Sequence, residues 1–206
     1  TDEKNGTYAP ELTHALHEFL EAGFDYDIAS IKGGTAPLYG EEEKDTVNQA
    51  ILADDDFQSR INNTIPATQI SASDYDAVFY PGGFGLLSDL AENTTVAKIT
   101  ANLYEAGKVV GAVCHGPAGL LPVELSDGTT LLAGKQITAF THEEEKDYGT
   151  INKIPFLLEE AITRKAGLYS KVAPWLENVI TDGTLVTGQN PASAHDVGKA
   201  MVSLMK

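Results

Sequence analysis

Six residues, Lys108-Val109-Val110-Gly111-Ala112-Val113, constrain this chain more than any others. After the lysine they are apolar or small with no alternation, the pattern of a strand covered on both faces. The chain then reads Cys114-His115-Gly116-Pro117-Ala118, with a helix expected from about Gly116. A buried strand therefore turns directly into a helix with a cysteine at the corner. A second apolar run, Asp76-Ala77-Val78-Phe79-Tyr80, closes on Pro81-Gly82-Gly83 and reads as a neighbouring buried strand that ends in a tight turn.

The remaining pattern alternates strand and helix. Leu12, Ala15, Leu16, Phe19 and Leu20 after Pro10 repeat at helical spacing, with Gly23 as the stop. Phe24 to Ala29 alternates like a strand, residues 33–56 read as a surface excursion, and 95–106 as a helix. Gln136 to Phe140 is strand-like, Pro155 to Ala166 helical, Asn178 to Gly188 a hairpin turning at Asp182-Gly183, and Ala192 to Leu204 a closing helix. This order predicts one α/β domain over 1–206, doubly wound, with a mostly parallel sheet and helices on both faces. The strand that usually opens such a domain is not legible before the first helix. Ligands in such folds bind at the carboxyl ends of the strands.

Composition excludes several partners. With 30 Asp+Glu against 14 Lys+Arg the net charge is −16, which disfavours nucleic acid and anionic membrane surfaces. No apolar run is long enough to span a bilayer, and Thr1-Asp2-Glu3-Lys4 lacks the order of a signal peptide. One cysteine permits no internal disulfide, so a cytoplasmic location is expected. The acids of 41–43 and 54–56 read as solvated surface.

Cys114 is the candidate nucleophile. A nucleophile elbow needs small residues two before and two after the nucleophile, here Ala112 and Gly116. At a helix N-terminus the sulfur is expected to favour the thiolate. Gly83 and His115 N–H groups at adjacent strand ends suit a two-donor oxyanion hole, and the His115 imidazole can accept and return a proton. A carboxylate should orient that ring. Glu143, Glu144 and Glu145 all stand beyond the Gln136–Phe140 strand, and spacing does not choose among them.

Together these residues resemble the ThiJ/PfpI superfamily, which has the flavodoxin-like fold of class I glutamine amidotransferases, and within it the heat-shock-protein-like glyoxalase III branch. The resemblance covers nearly the whole chain. Its motifs are Pro10-Glu11, Ile28-Ala29-Ser30 with Gly33-Gly34, Tyr80-Pro81-Gly82-Gly83, Ala112 to Ala118, Gly134 to Phe140, Pro155 to Glu159 and Val186 to Ala194. It implies that Glu145 completes the Cys–His pair, with Glu144 the alternative if the loop is shifted by one, and that Glu11 lies against the sulfur. It also implies a lyase that converts methylglyoxal to lactate with no cofactor or metal, a homodimer, and a part in stress responses. Phe84 departs from the pattern, since many members of this branch carry His after the paired glycines.

Other readings share these residues. A deglycase or peptidase could use the same Cys–His–Glu set. A holdase chaperone would require an exposed apolar patch. Glutamine amidotransfer would need a His-x-Glu pair farther from the cysteine than His142-Glu143-Glu144. His14 and His17, three apart on the first helix, are too few for a metal site, and His195 reads as a helix-start or packing residue. Trp175 and the tyrosines read as core or interface.

Overall fold

The computed structural model describes residues 5–165 and 168–206. The leader reading at Thr1–Lys4 and the Ala166 end of the predicted helix lie outside the described residues. The chain runs β1 (Thr7–Tyr8), α1 (Ala9–Glu21), β2 (Ala29–Ser30), β3 (Leu38–Tyr39), α2 (Thr46–Leu52), α3 (Asp55–Asn62) and β4 (Ile65–Pro66). Then come β5 (Ala77–Tyr80), α4 (Gly85–Asp89), α5 (Thr94–Glu105), β6 (Val109–Val113), β7 (Gln136–Ile137) and α6 (His142–Asp147). It closes with α7 (Leu158–Lys165), β8 (Leu168–Tyr169), β9 (Val179–Asp182), β10 (Leu185–Gly188) and α8 (Ala194–Met205).

The central sheet has the order β5-β6-β10-β9. β5 and β10 flank β6 in parallel, and β9 adds an antiparallel edge through the hairpin expected at Asp182-Gly183. β6 is buried along its whole length, as its unbroken apolar pattern requires. Its side chains divide between the two faces. Val110 and Ala112 join Ala97 and Ala101 of α5 and Leu158 and Ile162 of α7, whereas Val109 and Val113 join Val197 and Met201 of α8. Val110 and Val113 are fully out of solvent, and each such burial is worth about 1.5–3 kcal/mol. Helices on both faces of a mostly parallel sheet are the expected α/β architecture.

Several elements depart from the sequence pattern for local reasons. Phe24 to Ala29 yields only Ala29–Ser30 as strand, because β2 pairs with Ile65 and Pro66 and the proline has no N–H to extend the ladder. β7 stops at Ile137 because the next donors along the chain go elsewhere: Thr138 N–H to the Thr187 hydroxyl (3.1 Å) and Phe140 N–H to Cys114 C=O (3.0 Å). The helix expected from Pro155 begins at Leu158. The supposed excursion at 33–56 includes β3 and α2, whose Asn48 and Ile51 are buried. On α1 the apolar face is not simply apolar: Leu20 is exposed, while Glu11 and Thr13 are buried. No opening strand joins the central sheet among the described residues; β1 instead pairs with β3. No helix among them is long and apolar enough to cross a membrane.

Candidate active site

β5 and β6 run parallel, so their carboxyl ends deliver Gly82-Gly83 and Cys114 to the same edge of the sheet. Cys114 has φ +57, a left-handed conformation that non-glycine residues rarely adopt. Its N–H still donates to Gly188 C=O of β10 (2.9 Å), which ties the corner to the sheet. The small-flank requirement is met physically at Gly116, where a Cβ would stand 2.2 Å from the Tyr80 carbonyl oxygen. Beyond the corner, Gly116–Leu120 forms a 3-10 turn rather than the expected α-helix. Glycines at 116 and 119 weaken helix formation, and Ala118 N–H closes an i+3 bond to His115 C=O.

His115 bridges the sulfur to a carboxylate. Its Nδ1 is 3.3 Å from Cys114 Sγ and its Nε2 is 2.6 Å from Glu145 Oε1. Cys114, His115 and Glu145 are all nearly inaccessible to solvent. Glu145 Oε2 in turn accepts from the Thr150 hydroxyl, a partner that the sequence pattern did not suggest. The three consecutive glutamates are sorted by α6, whose successive residues point about 100° apart. Glu143 faces outward and pairs with Lys171 (2.7 Å), Glu144 turns into the core, and Glu145 faces His115.

Glu11 enters from α1. Its oxygens are buried without a hydrogen-bond partner of good geometry, and they face the Cys114 thiol and Gly82 N–H. Gly82 permits the approach, since a Cβ there would lie 2.0 Å from Glu11 Oε2 and 2.7 Å from Cys114 Cβ. Burial raises the Glu11 carboxyl from an ordinary 4.5 to about 8, outweighing the lowering by Cys114 and Gly82. The group is therefore protonated at neutral pH. Burial, followed by the nearby Glu11, also pushes the Cys114 thiol up. This overturns the thiolate expected from a helix N-terminus: the helix is absent, and desolvation dominates.

Gly83, at φ +127, follows Gly82 at the carboxyl end of β5, and the His115 backbone N–H faces the Cys114 sulfur. Among the described residues neither the Gly83 nor the His115 N–H donates to a backbone carbonyl. Aromatic rings close over the imidazole. Phe84 lies 4.9 Å and Phe140 4.6 Å from His115 between ring centroids, Tyr148 stacks on Phe84, and Trp175 meets both Tyr148 and Phe140. Trp175 is a site-rim residue, 39% exposed, rather than core. His14 pairs with Asp45 (2.7 Å), and His195 packs against His14 and pairs with Glu18 (3.2 Å). No group of three His, Cys, Asp or Glu side chains among the described residues could hold a metal.

A cysteine at a left-handed corner beyond a mostly parallel sheet, with a His and a Glu in line behind it, places the site at the carboxyl edge of an α/β fold. The chain belongs to the DJ-1/PfpI family, whose model matches residues 4–204. Glutathione-independent glyoxalase HSP31 of Saccharomyces cerevisiae is 34% identical over 220 residues, which cover 98% of this chain and 90% of the relative. Among solved structures, Rapid Encystment Protein 24 KDa of Francisella tularensis has a TM-score of 0.93 at 31% identity, covering 98% of this chain and 90% of that one. Glyoxalase III of Candida albicans has a TM-score of 0.87 at 26% identity, covering 98% and 89%.

Proposed function

We propose that this protein is a glutathione-independent glyoxalase that converts methylglyoxal and water to lactate. The observation that carries the reading is the continuous buried line from Cys114 Sγ through the His115 ring to Glu145, with protonated Glu11 against the sulfur. The relatives named glyoxalase support the substrate class, a small reactive aldehyde.

The resting protonation dictates the chemistry. Cys114 sulfur bonds to the aldehyde carbon while its proton passes to His115 Nδ1, which spares the site a free buried thiolate. The former carbonyl oxygen is held by Gly83 and His115 N–H groups and takes that proton back, giving a neutral hemithioacetal. His115, oriented by Glu145, then removes the proton from C1 and returns it to C2 through an enediol, while the C2 oxygen takes a proton from Glu11 and the C1 hydroxyl returns one to Glu11, leaving a thioester on Cys114. Neutral Glu11 donates a hydrogen bond to substrate oxygen during this transfer. Water cleaves the thioester, releasing lactate and restoring the thiol. No cofactor or metal enters any step.

A cytoplasmic homodimer with a free Cys114 thiol belongs to the same reading. The test is lactate formation from methylglyoxal by the purified protein with no added thiol. Parent protein should be active, Cys114→Ser should lose all measurable turnover, and Glu145→Ala should lose at least a hundredfold in kcat. Turnover of Cys114→Ser at the parent's rate sinks the mechanism. One observation favours a second reading, a stress-response holdase: Leu168, Val172, Trp175 and Leu176 are all exposed within one short segment. Suppression of client aggregation by Cys114→Ser would separate that activity from catalysis.

A further inference from the structure

Glu144 has no step in the glyoxalase reaction, yet it is one of the most completely bound side chains in the molecule. It is fully buried, and its two oxygens accept five hydrogen bonds. Oε2 takes the Thr141 N–H and hydroxyl, both at 2.9 Å, closing a capping box at the start of α6. Oε1 takes Asn190 Nδ2 at 2.8 Å, Trp175 N–H at 2.9 Å and Gln189 Nε2 at 3.2 Å. The donors come from three separate segments. An N-terminal capping glutamate normally needs only the first pair, so the other three are not explained by helix capping.

Each tie leads toward His115. Glu145, the next residue on α6, carries the carboxylate 2.6 Å from His115 Nε2. Trp175, held at φ +65 with its N–H on Glu144, packs its ring against Phe140, and Phe140 lies 4.6 Å from the His115 ring on centroids. Asn190 also donates to Leu176 C=O (2.7 Å), and the Gln189 side-chain oxygen accepts from Val172 N–H (2.9 Å), so the same turn anchors both sides of Trp175. We infer that Glu144 is the positioning residue of this site, binding α6, the Trp175 segment and the Gln189-Asn190 turn into one frame that holds Glu145 and Phe140 against the His115 ring. This inference rests on the glyoxalase reading for its kinetic arm only.

Two variants separate the effects of charge and reach. Glu144→Gln keeps the length but presents an amide nitrogen to N–H donors at whichever end it occupies, since both oxygens now accept at least one N–H. Glu144→Asp keeps the charge and withdraws the oxygens by one methylene. That matters because the Glu144 charge itself adds to the rise of Glu11 and Cys114. Phe57→Leu, in the separate cluster with Leu16, Ile51 and Ile61, serves as a control for general destabilisation. Kinetics with methylglyoxal are measured below the melting temperature of every variant, and crystal structures read the His115 Nε2 to Glu145 Oε1 separation without substrate.

Both Glu144 variants should lose about tenfold or more in kcat with KM within twofold, and the separation should open beyond 3.5 Å, whereas Phe57→Leu should keep both. Should the Glu144 variants fail to fold, Gln189→Met, which withdraws the longest of the five bonds to Glu144 together with the Gln189 side chain's own bonds to Val172 and Asn178, should show a smaller loss of kcat and a smaller opening. Parent-like kcat, loss in Glu144→Gln alone, or loss with the separation unchanged overturns the inference. If the parent itself does not turn over methylglyoxal, the function reading fails and the separation alone decides the positioning role.

Discussion

Replacing Glu11 by Gln tests the charge state on which the chemistry depends. Glu11 is fully buried, and burial lifts its carboxyl from 4.5 to about 8. An acid raised in this way binds a proton in the folded chain that the unfolded chain has already released. The folded state is therefore unpenalised below pH 4.5, loses stability as pH rises through the interval up to about 8, and loses no more beyond it. A displacement of about 3.5 pH units at about 1.36 kcal/mol each amounts to about 5 kcal/mol, of which about 3 kcal/mol is incurred by pH 7. Gln keeps the shape and cannot ionise. The stability of Glu11→Gln minus that of the parent should therefore rise by about 1.4 kcal/mol per pH unit between pH 5 and 7.5. Any fixed cost of the amide's unmatched donors displaces this line without changing its slope. Cys114, pushed upward, titrates above that interval. Urea unfolding at half-unit pH steps gives both free energies by linear extrapolation. Parallel profiles for parent and variant would refute the neutral buried carboxyl, and with it the role assigned to Glu11.

Gly82→Ala forces a Cβ to within 2.0 Å of Glu11 Oε2 and 2.7 Å of Cys114 Cβ. Overpacking of this kind costs about 1–3 kcal/mol, and because both displaced groups touch the reacting atoms, kcat/KM should fall at least a hundredfold in the lactate assay. Thr150→Val leaves Glu145 Oε2 without its hydroxyl donor. Loss of a hydrogen bond to a charged group costs about 1.5–3 kcal/mol, so the variant should melt several degrees lower by circular dichroism and lose kcat more than it changes KM. A Thr150→Val protein with parent melting temperature and kcat would show that Glu145 is oriented by other contacts.

Much of the site was legible because its decisive features are local. An unbroken apolar strand, a cysteine directly after it, and small residues two positions to either side describe a corner that few other backbone paths allow, and β6, Cys114 and Gly116 form it. The Asp182-Gly183 turn and the extent of α1 between Pro10 and Gly23 were legible for the same reason: turn chemistry and helical period act over a few residues. Thr150 left no such mark. Nothing in its neighbours distinguishes a threonine that meets Glu145 from one that meets water. The strand predictions failed in proportion to their dependence on partners, as at Ala29–Ser30, where Pro66 on the facing strand ends the ladder.

Sequence alone determined that a cysteine stands at the carboxyl edge of a parallel sheet with a histidine beside it. It did not determine which glutamate serves that histidine, because Glu143, Glu144 and Glu145 are equivalent until α6 is docked, and only docking sends one to Lys171, one into the core and one to His115. Nor did it determine the charge of the site. Read locally, the helix start after Cys114 favours a thiolate, and no neighbour of Glu11 in the sequence fixes its proton. The packed structure replaces that helix with a 3-10 turn and removes both groups from water, and the cost of burying charge exceeds what nearby dipoles return. Protonation is set by the whole surroundings of a group, and those exist only once the chain has folded.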